Sequence, residues 1–360
     1  MRMPMILIPI LLLVSLVYTS WRFWLILPLS PLGKSVTVAF YLLCFALVFV
    51  HYGVGNRLPM GLAAASYEIG TSWMIFFLYA LLLFLALDLG RWLHLVPGAL
   101  LRDSRSGTGL VLGLLTLLLV YGNVHYRHKY REVIDIQTEK PLPRPLVAVL
   151  ASDLHAGYHN REKEVNRWVD LINAEEPDLV LFAGDVVDGA LRPMREGRFA
   201  EAFHRLRAPA YTTLGNHEYL AGREGAEEFL RTAGLQILRD TAVTACGIRI
   251  VGRDDRSNTR RAALSALAPE DPLQFTLLLD HQPYHLEEAE QAGIDFQFSG
   301  HTHHGQVWPG NWITDLMYEK AFGAHQRGST RYYISSGLGI WGGKFRIGTR
   351  SEYIVLRIHN

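Results

Sequence analysis

The chain has 360 residues, room for two domains, and its formal net charge of +1, with no long basic run, gives no support to a polyanionic partner such as nucleic acid. Two cysteines, Cys44 and Cys246, are too few for a disulfide framework or a zinc–thiolate site. Up to Tyr126 the residues are overwhelmingly apolar and aromatic, whereas from Arg127 onward charge, Gly and Pro return to ordinary globular frequencies.

Membrane-spanning helices need about 20 mainly apolar residues, and four candidates stand in the first third: Met3 to Tyr18, Val36 to Tyr52, Ser72 to Leu89 and Gly109 to His125. The first follows Arg2 but lacks a small-residue cleavage pattern, so it reads as an anchor and not as a signal peptide. Trp21, Trp24, Trp73, Trp92, Tyr121 and Tyr126 lie near span ends, where amphipathic rings favour the headgroup layer. Arg22, Lys34, Arg91, Arg102 and Arg105 fall on one side, and Arg2, Arg57, Arg127, Lys129 and Arg131 on the other. The tally is even, and the compact 127–131 cluster inclines the reading toward a cytoplasmic catalytic domain. Asp88 is the one acid inside the spans and reads as a boundary residue beside Arg91. The spans otherwise lack the polar interior of a transporter, and read as an anchor that could also gather a lipid substrate.

Residues 127–145 read as a polar juxtamembrane linker stiffened by Pro141, Pro143 and Pro145, with the catalytic domain running from 146 to 360. Strands are expected at Leu146 to Ser152, Leu179 to Ala183, Tyr211 to Leu214, Ile248 to Val251, Phe275 to Leu279, Phe296 to Ser299, Tyr332 to Ser335 and Tyr353 to Ile358. Helices are expected at Arg161 to Glu175, Glu224 to Thr232, Thr259 to Leu267 and Tyr284 to Ala292. The pattern is α/β.

Asp and His residues recur just beyond these strands. Asp153 and His155 follow the first; Asp185 and Asp188 the second; Asn216 and His217 the third; His281 and then His301 with His303 follow two later ones. The carboxyl ends of strands are where α/β sheets carry their active sites. Each loop alone is unremarkable, since an Asp after a strand is usually a turn or cap residue; together the five suit a two-metal hydrolase. Two ions about 3.5–4 Å apart need a bridging carboxylate, for which Asp185 after Gly184 is placed. Oxygen and imidazole donors without thiolate suit Mn, Fe or Zn. A hydroxide between the ions is then the nucleophile, and His217 protonates the leaving oxygen, with Glu218 available to hold its ring.

In this order, Asp153-Leu154-His155, Gly184-Asp185-Val186-Val187-Asp188-Gly189, Gly215-Asn216-His217-Glu218, His281 and Gly300-His301-Thr302-His303 resemble the calcineurin-like metallophosphoesterase superfamily over 146–360. The resemblance implies a β-sandwich flanked by helices in four αββα layers. It assigns one metal to Asp153, His155, Asp185 and His303, the other to Asp185, Asn216, His281 and His301, and the acid role to His217. Ser299 to Val307 and Ser336-Gly337-Leu338-Gly339 with Arg346 resemble the small bacterial, membrane-associated branch, which includes phosphodiesterases and hydrolases of UDP-2,3-diacylglucosamine. Two departures are His304, where that branch usually has Gly, and Ser351, where it usually has Pro. Asn216, His304 and Arg346 are candidate substrate contacts; Lys344 and Trp341 lie near the same expected rim. The expectation is a membrane-anchored phosphodiesterase or pyrophosphatase using two divalent ions, Mn foremost. The alternatives are a phosphomonoesterase and a non-enzymatic membrane scaffold with a structural metal domain.

Overall fold

A computed structural model describes residues 3–269 and 271–360, with backbone alone for 3–6. Arg2, counted in the charge tally, lies outside the described residues. The chain divides into two compact units: one runs up to Val124 and includes Gly342–Phe345, the other comprises His125–Trp341 and Arg346–Asn360.

The first unit is built on α1 (Met3–Ile26), α2 (Pro31–Val54), α3 (Met60–Trp92) and α4 (Arg105–Arg127). All four are long and apolar enough to cross a membrane. Each extends beyond its expected span, because the helix continues into polar flanks that a hydropathy reading trims. Asp88, expected as a boundary residue, has its partners on α1: its carboxylate pairs with Arg22 at 3.1 Å and accepts from Tyr18 Oη at 2.5 Å. Arg22 is almost wholly buried there, where an unpaired charge would be costly.

The second unit contains, in chain order, β1 (Lys129–Gln137), β2 (Leu146–Ala151), α5 (Glu162–Ala174), β3 (Leu179–Ala183), α6 (Arg192–Glu196), α7 (Phe199–Phe203), β4 (Ala210–Thr213), α8 (Asn216–Thr232), β5 (Gln236–Ile237), β6 (Thr241–Ala245) and β7 (Ile248–Gly252). It continues with β8 (Thr276–Leu279), α9 (Glu287–Gln291), β9 (Phe296–Ser299), α10 (Gly310–Met317), β10 (Gly323–Arg327), β11 (Thr330–Ile334) and β12 (Ser351–His359). Two six-stranded sheets result, ordered β1-β12-β2-β3-β4-β5 and β10-β11-β9-β8-β7-β6.

Side-chain alternation sorts the strands into the expected layers. Leu179, Leu181 and Ala183 of β3 pack between the sheets with Ile250, Leu277 and Phe298, while Val180 and Phe182 face Trp168, Phe203 and Leu230 of the outer helices. On the far side, Val251, Leu278 and Tyr332 pack against Leu264, Leu286 and Ala289. The order helix, sheet, sheet, helix follows from strands that are apolar on both faces.

Residues 127–145 are not a linker. Their core is β1, paired in parallel with β12 from Lys129↔Ser351 to Gln137↔His359. As an edge strand it carries charges toward solvent, which hides its alternation from a hydrophobicity reading. The same applies to β6 and β10, edges of the second sheet. The helix expected at 259–267 is reduced to a 3₁₀ turn at Leu264–Leu267. Asp255 Oδ1 accepts from Ser257 N and Asn258 Oδ1 from Arg260 N, local bonds that compete with a helical ladder.

Candidate active site

Every Asp and His singled out beyond the strands meets at one end of the two sheets. Backbone geometry is unusual there. Asp153, His155, Asp185, His301 and His303 all have positive φ, between 46° and 70°. Non-glycine residues in that region are strained by about 1–3 kcal/mol each and persist only where surrounding structure enforces them. Glycines permit the tight approach: a Cβ on Gly215 would collide with Asp185 Oδ1, and one on Gly300 with Asp153 Oδ2.

Two donor groups share a centre. In the first, His155 Nε2 lies 3.0 Å from His303 Nε2 and 3.6 Å from Asp185 Oδ2, and His303 Nε2 lies 3.5 Å from Asp153 Oδ1. In the second, His281 Nε2 lies 3.2 Å from both Asp185 Oδ2 and Asn216 Oδ1, and His301 Nδ1 lies 2.8 Å from the same Asn216 oxygen. Asp185 Oδ2 belongs to both groups, while its Oδ1 accepts from the His217 backbone N–H at 2.8 Å.

These separations fit divalent ions. Donors about 2.1 Å from a common ion stand about 3.0 Å apart at right angles and about 3.4 Å at the tetrahedral angle. Two of the four imidazoles are also in the protonation state that suits ligation, whereas at His281 burial is outweighed by the nearby carboxylates, Asp185 foremost, which hold the ring well above its usual range. Burial pushes the His301 imidazole down to about 4 and, with His155 adding to it, His303 well below the usual range, leaving lone pairs free. His281 places its Nδ1 2.7 Å from the Ala183 carbonyl oxygen, a donor contact that leaves Nε2 directed inward.

The ring of His217 sits beside the first group, 4.4 Å from that of His155 and perpendicular to it. Its Nδ1 is 3.1 Å from Asp188 Oδ1. Burial alone would lower this imidazole, but the Asp185 and Asp188 carboxylates outweigh burial and raise it to about 9. Asp188 also lies 3.5 Å from His155 Nδ1, so one buried carboxylate faces two site histidines. The sequence placed Asp188 after its strand without giving it a role; the Asp-x-x-Asp spacing from Asp185 was the available signal.

Glu218 is not the ring's partner. It is fully buried and accepts from the backbone N–H groups of Asp185, Val187 and Gly215 at 3.0, 2.9 and 2.7 Å, fastening the loop after β3 to the start of α8. Burial, reinforced by Asp185, raises its carboxyl to about 7.

Arg346 does not occupy a rim. It is 0% exposed. Its guanidinium donates to the carbonyls of His303 at 2.7 Å, Ser336 at 2.5 Å and Gly339 at 3.2 Å, and to Ser351 Oγ at 3.2 Å. Burial lowers it to about 10, yet it stays charged. The Ser at 351 thus acquires a local reason. His304 is half-buried, stacked on Phe322 at 4.6 Å with Nε2 3.6 Å from Asp315, engaged outside the two donor groups. Trp341 remains partly exposed.

Residues 146–305 match the family model described as calcineurin-like phosphoesterase. A metallophosphoesterase of Helicobacter pylori is 32% identical over 226 residues, 60% of each chain, so the match spans three fifths of that relative's length. One of Aquifex aeolicus is 30% identical over 257 residues, 68% of this chain and 97% of its own. A zebrafish (Danio rerio) protein called a transmembrane protein with metallophosphoesterase domain is 30% identical over 310 residues, covering 76% of this chain and 70% of its own.

Proposed function

The chain belongs to the calcineurin-like metallophosphoesterase family, and on that premise we propose a membrane-anchored hydrolase of phosphodiester or pyrophosphate bonds that works with two divalent ions. The observation that carries the reading is Asp185 Oδ2, 3.6 Å from His155 Nε2 and 3.2 Å from His281 Nε2, one oxygen between two imidazole groups.

Asp153, His155, Asp185 and His303 would hold one ion, and Asp185, Asn216, His281 and His301 the other. Bound there, the ions supply Lewis acidity, lowering the pKa of water from about 16 toward 7 and neutralising phosphoryl charge. The protein's own groups do the rest. Asp188 keeps the proton on His217 Nδ1 and so turns Nε2 outward as the donor to the leaving oxygen. Asp188 likewise steadies His155, and Glu218 holds the Asp185 loop rigid, which preserves positions to a fraction of an ångström. Asn216 is placed to touch substrate as well as an ion. Mn is the proposed native metal, with Fe and Zn as alternatives.

The four apolar helices make the anchor, each a membrane pass, with the catalytic unit on the cytoplasmic side; a reporter fused after Asn360 reads that side directly. The proposed substrate is a nucleotide-linked lipid such as UDP-2,3-diacylglucosamine. Full-length protein supplied with Mn should cleave bis(4-nitrophenyl) phosphate faster than the monoester and release UMP from the lipid. Faster monoester turnover would make it a phosphomonoesterase; undiminished diester turnover after Asp185→Ala would end the metal reading.

A further inference from the structure

Helix α10 is amphipathic in the wrong sense for a water-facing helix. Surface helices turn apolar residues to the core, but here Leu316, Met317, Trp312 and Ile313 are 88, 60, 59 and 58% exposed. At 100° per residue these four occupy one arc. The less exposed Asn311 and Thr314 lie on the opposite arc with Asp315, whose carboxylate is 3.6 Å from His304 Nε2. Trp308, 5.3 Å from Trp312, extends the apolar side. Of eight large apolar side chains exposed on the second unit among the described residues, five fall between Trp308 and Met317. Concentration of that kind marks a partner surface, whereas scattered leucines do not.

We propose that the outward face of α10 rests in the lipid headgroup layer and holds the mouth of the Asp/His site at the bilayer surface. Lipid is the favoured occupant because of the chain itself. A single residue, His128, separates the last apolar helix from β1, so the second unit is tethered at a membrane surface. Exposed Trp, Leu and Met on a short helix suit the interface between headgroups and acyl chains. The helix is also fastened to the site: Gly305 and Gly310 touch backbone to backbone, a Cβ on either colliding with the other, two residues beyond His303. A phosphoester carried at headgroup height is therefore the substrate class that reaches the site; this second half rests on the hydrolase reading, the docking itself does not.

The test uses full-length protein in vesicles of mixed neutral and anionic phospholipid, in a Cys246→Ser background. A nitroxide is attached at Leu316→Cys or, as control, at Leu273→Cys, which precedes β8 at the end remote from His281. Docking predicts that collisions with a water-soluble nickel chelate are about tenfold rarer at 316 than at 273, with oxygen collisions enriched. Water-like accessibility at 316 overturns the proposal, as does spin–spin broadening between 316 labels, which would assign the face to a second copy. In an activity arm, Ile313→Glu with Leu316→Glu should lower turnover of a vesicle-borne phosphodiester about tenfold and leave bis(4-nitrophenyl) phosphate unaffected. Equal loss on both substrates overturns substrate delivery through α10. Absence of any turnover by the unsubstituted protein would defeat the hydrolase reading and leave the label result interpretable.

Discussion

Asp188 Oδ1 stands 3.1 Å from Nδ1 of His217, and the same oxygen is 3.5 Å from Nδ1 of His155. A carboxylate that is 5% exposed thus faces a proposed acid and a proposed ligand at once, and the two histidines beside it hold it well below the usual carboxylate range against the effect of burial. Asp188→Asn keeps the shape but loses the charge that keeps His217 protonated. It should lower kcat about 10–100-fold, as outer-shell changes at metal sites do. The loss should grow as the leaving group becomes more basic, measured with a series of substituted aryl diesters. A uniform loss across the series would show that Asp188 acts through His155 alone.

Metal removal should be felt as stability. The site packs Asp153, Asp185 and Asp188 into a buried space, and burial raises the Asp153 carboxyl. Treatment with a chelator should lower the thermal transition, and Mn at about 100 times its Kd should restore about 2.7 kcal/mol for each ion bound. Asp185→Ala should remove that response to Mn, since both donor groups lose their shared oxygen. Scanning fluorimetry across a Mn titration checks both outcomes.

Gly215 offers a subtler test. A methyl group there has no room beside Asp185 Oδ1, so Gly215→Ala must displace the shared carboxylate while every donor stays present. Displacements near 1 Å can cost about 100-fold in rate. The variant should retain its fold by circular dichroism, with kcat down by about that factor and weaker metal binding by calorimetry.

Arg346→Met should destabilise the second unit. It leaves the carbonyl oxygens of His303, Ser336 and Gly339 without their donor in a wholly buried place, at about 3 kcal/mol. The urea midpoint followed by tryptophan fluorescence should fall accordingly, with chelated protein used so that metal loss does not contribute.

What a residue type signals by itself decides which elements are legible in this sequence. Strands β2, β3 and β8 were legible because their runs are mainly apolar on both faces and β9 because Phe296 and Phe298 alternate with Gln297 and Ser299, and the Asp and His residues beyond them stood out for that reason. The four long helices were legible too, since each carries an apolar run long enough to cross a bilayer. Edge strand β1 was not, because its pairing with β12 is a contact across more than 200 residues and its exposed side must be polar.

Sequence alone therefore determined which Asp and His residues follow the strands and which four stretches are long and apolar enough to cross a membrane, both of which follow from local composition and spacing. Tertiary structure decided the pairings. Asp188 and not Glu218 faces the His217 ring, Arg22 meets Asp88, and Arg346 turns into the core instead of toward substrate. Side-chain direction depends on backbone angles and on neighbours remote in the chain, so a charged residue near a site reads identically whether it will bind a ligand or fasten a loop. The outward face of α10 belongs with these: its apolar spacing is visible in the sequence, but which side it turns to solvent is fixed only by the contacts of Gly305, Gly310 and Asp315.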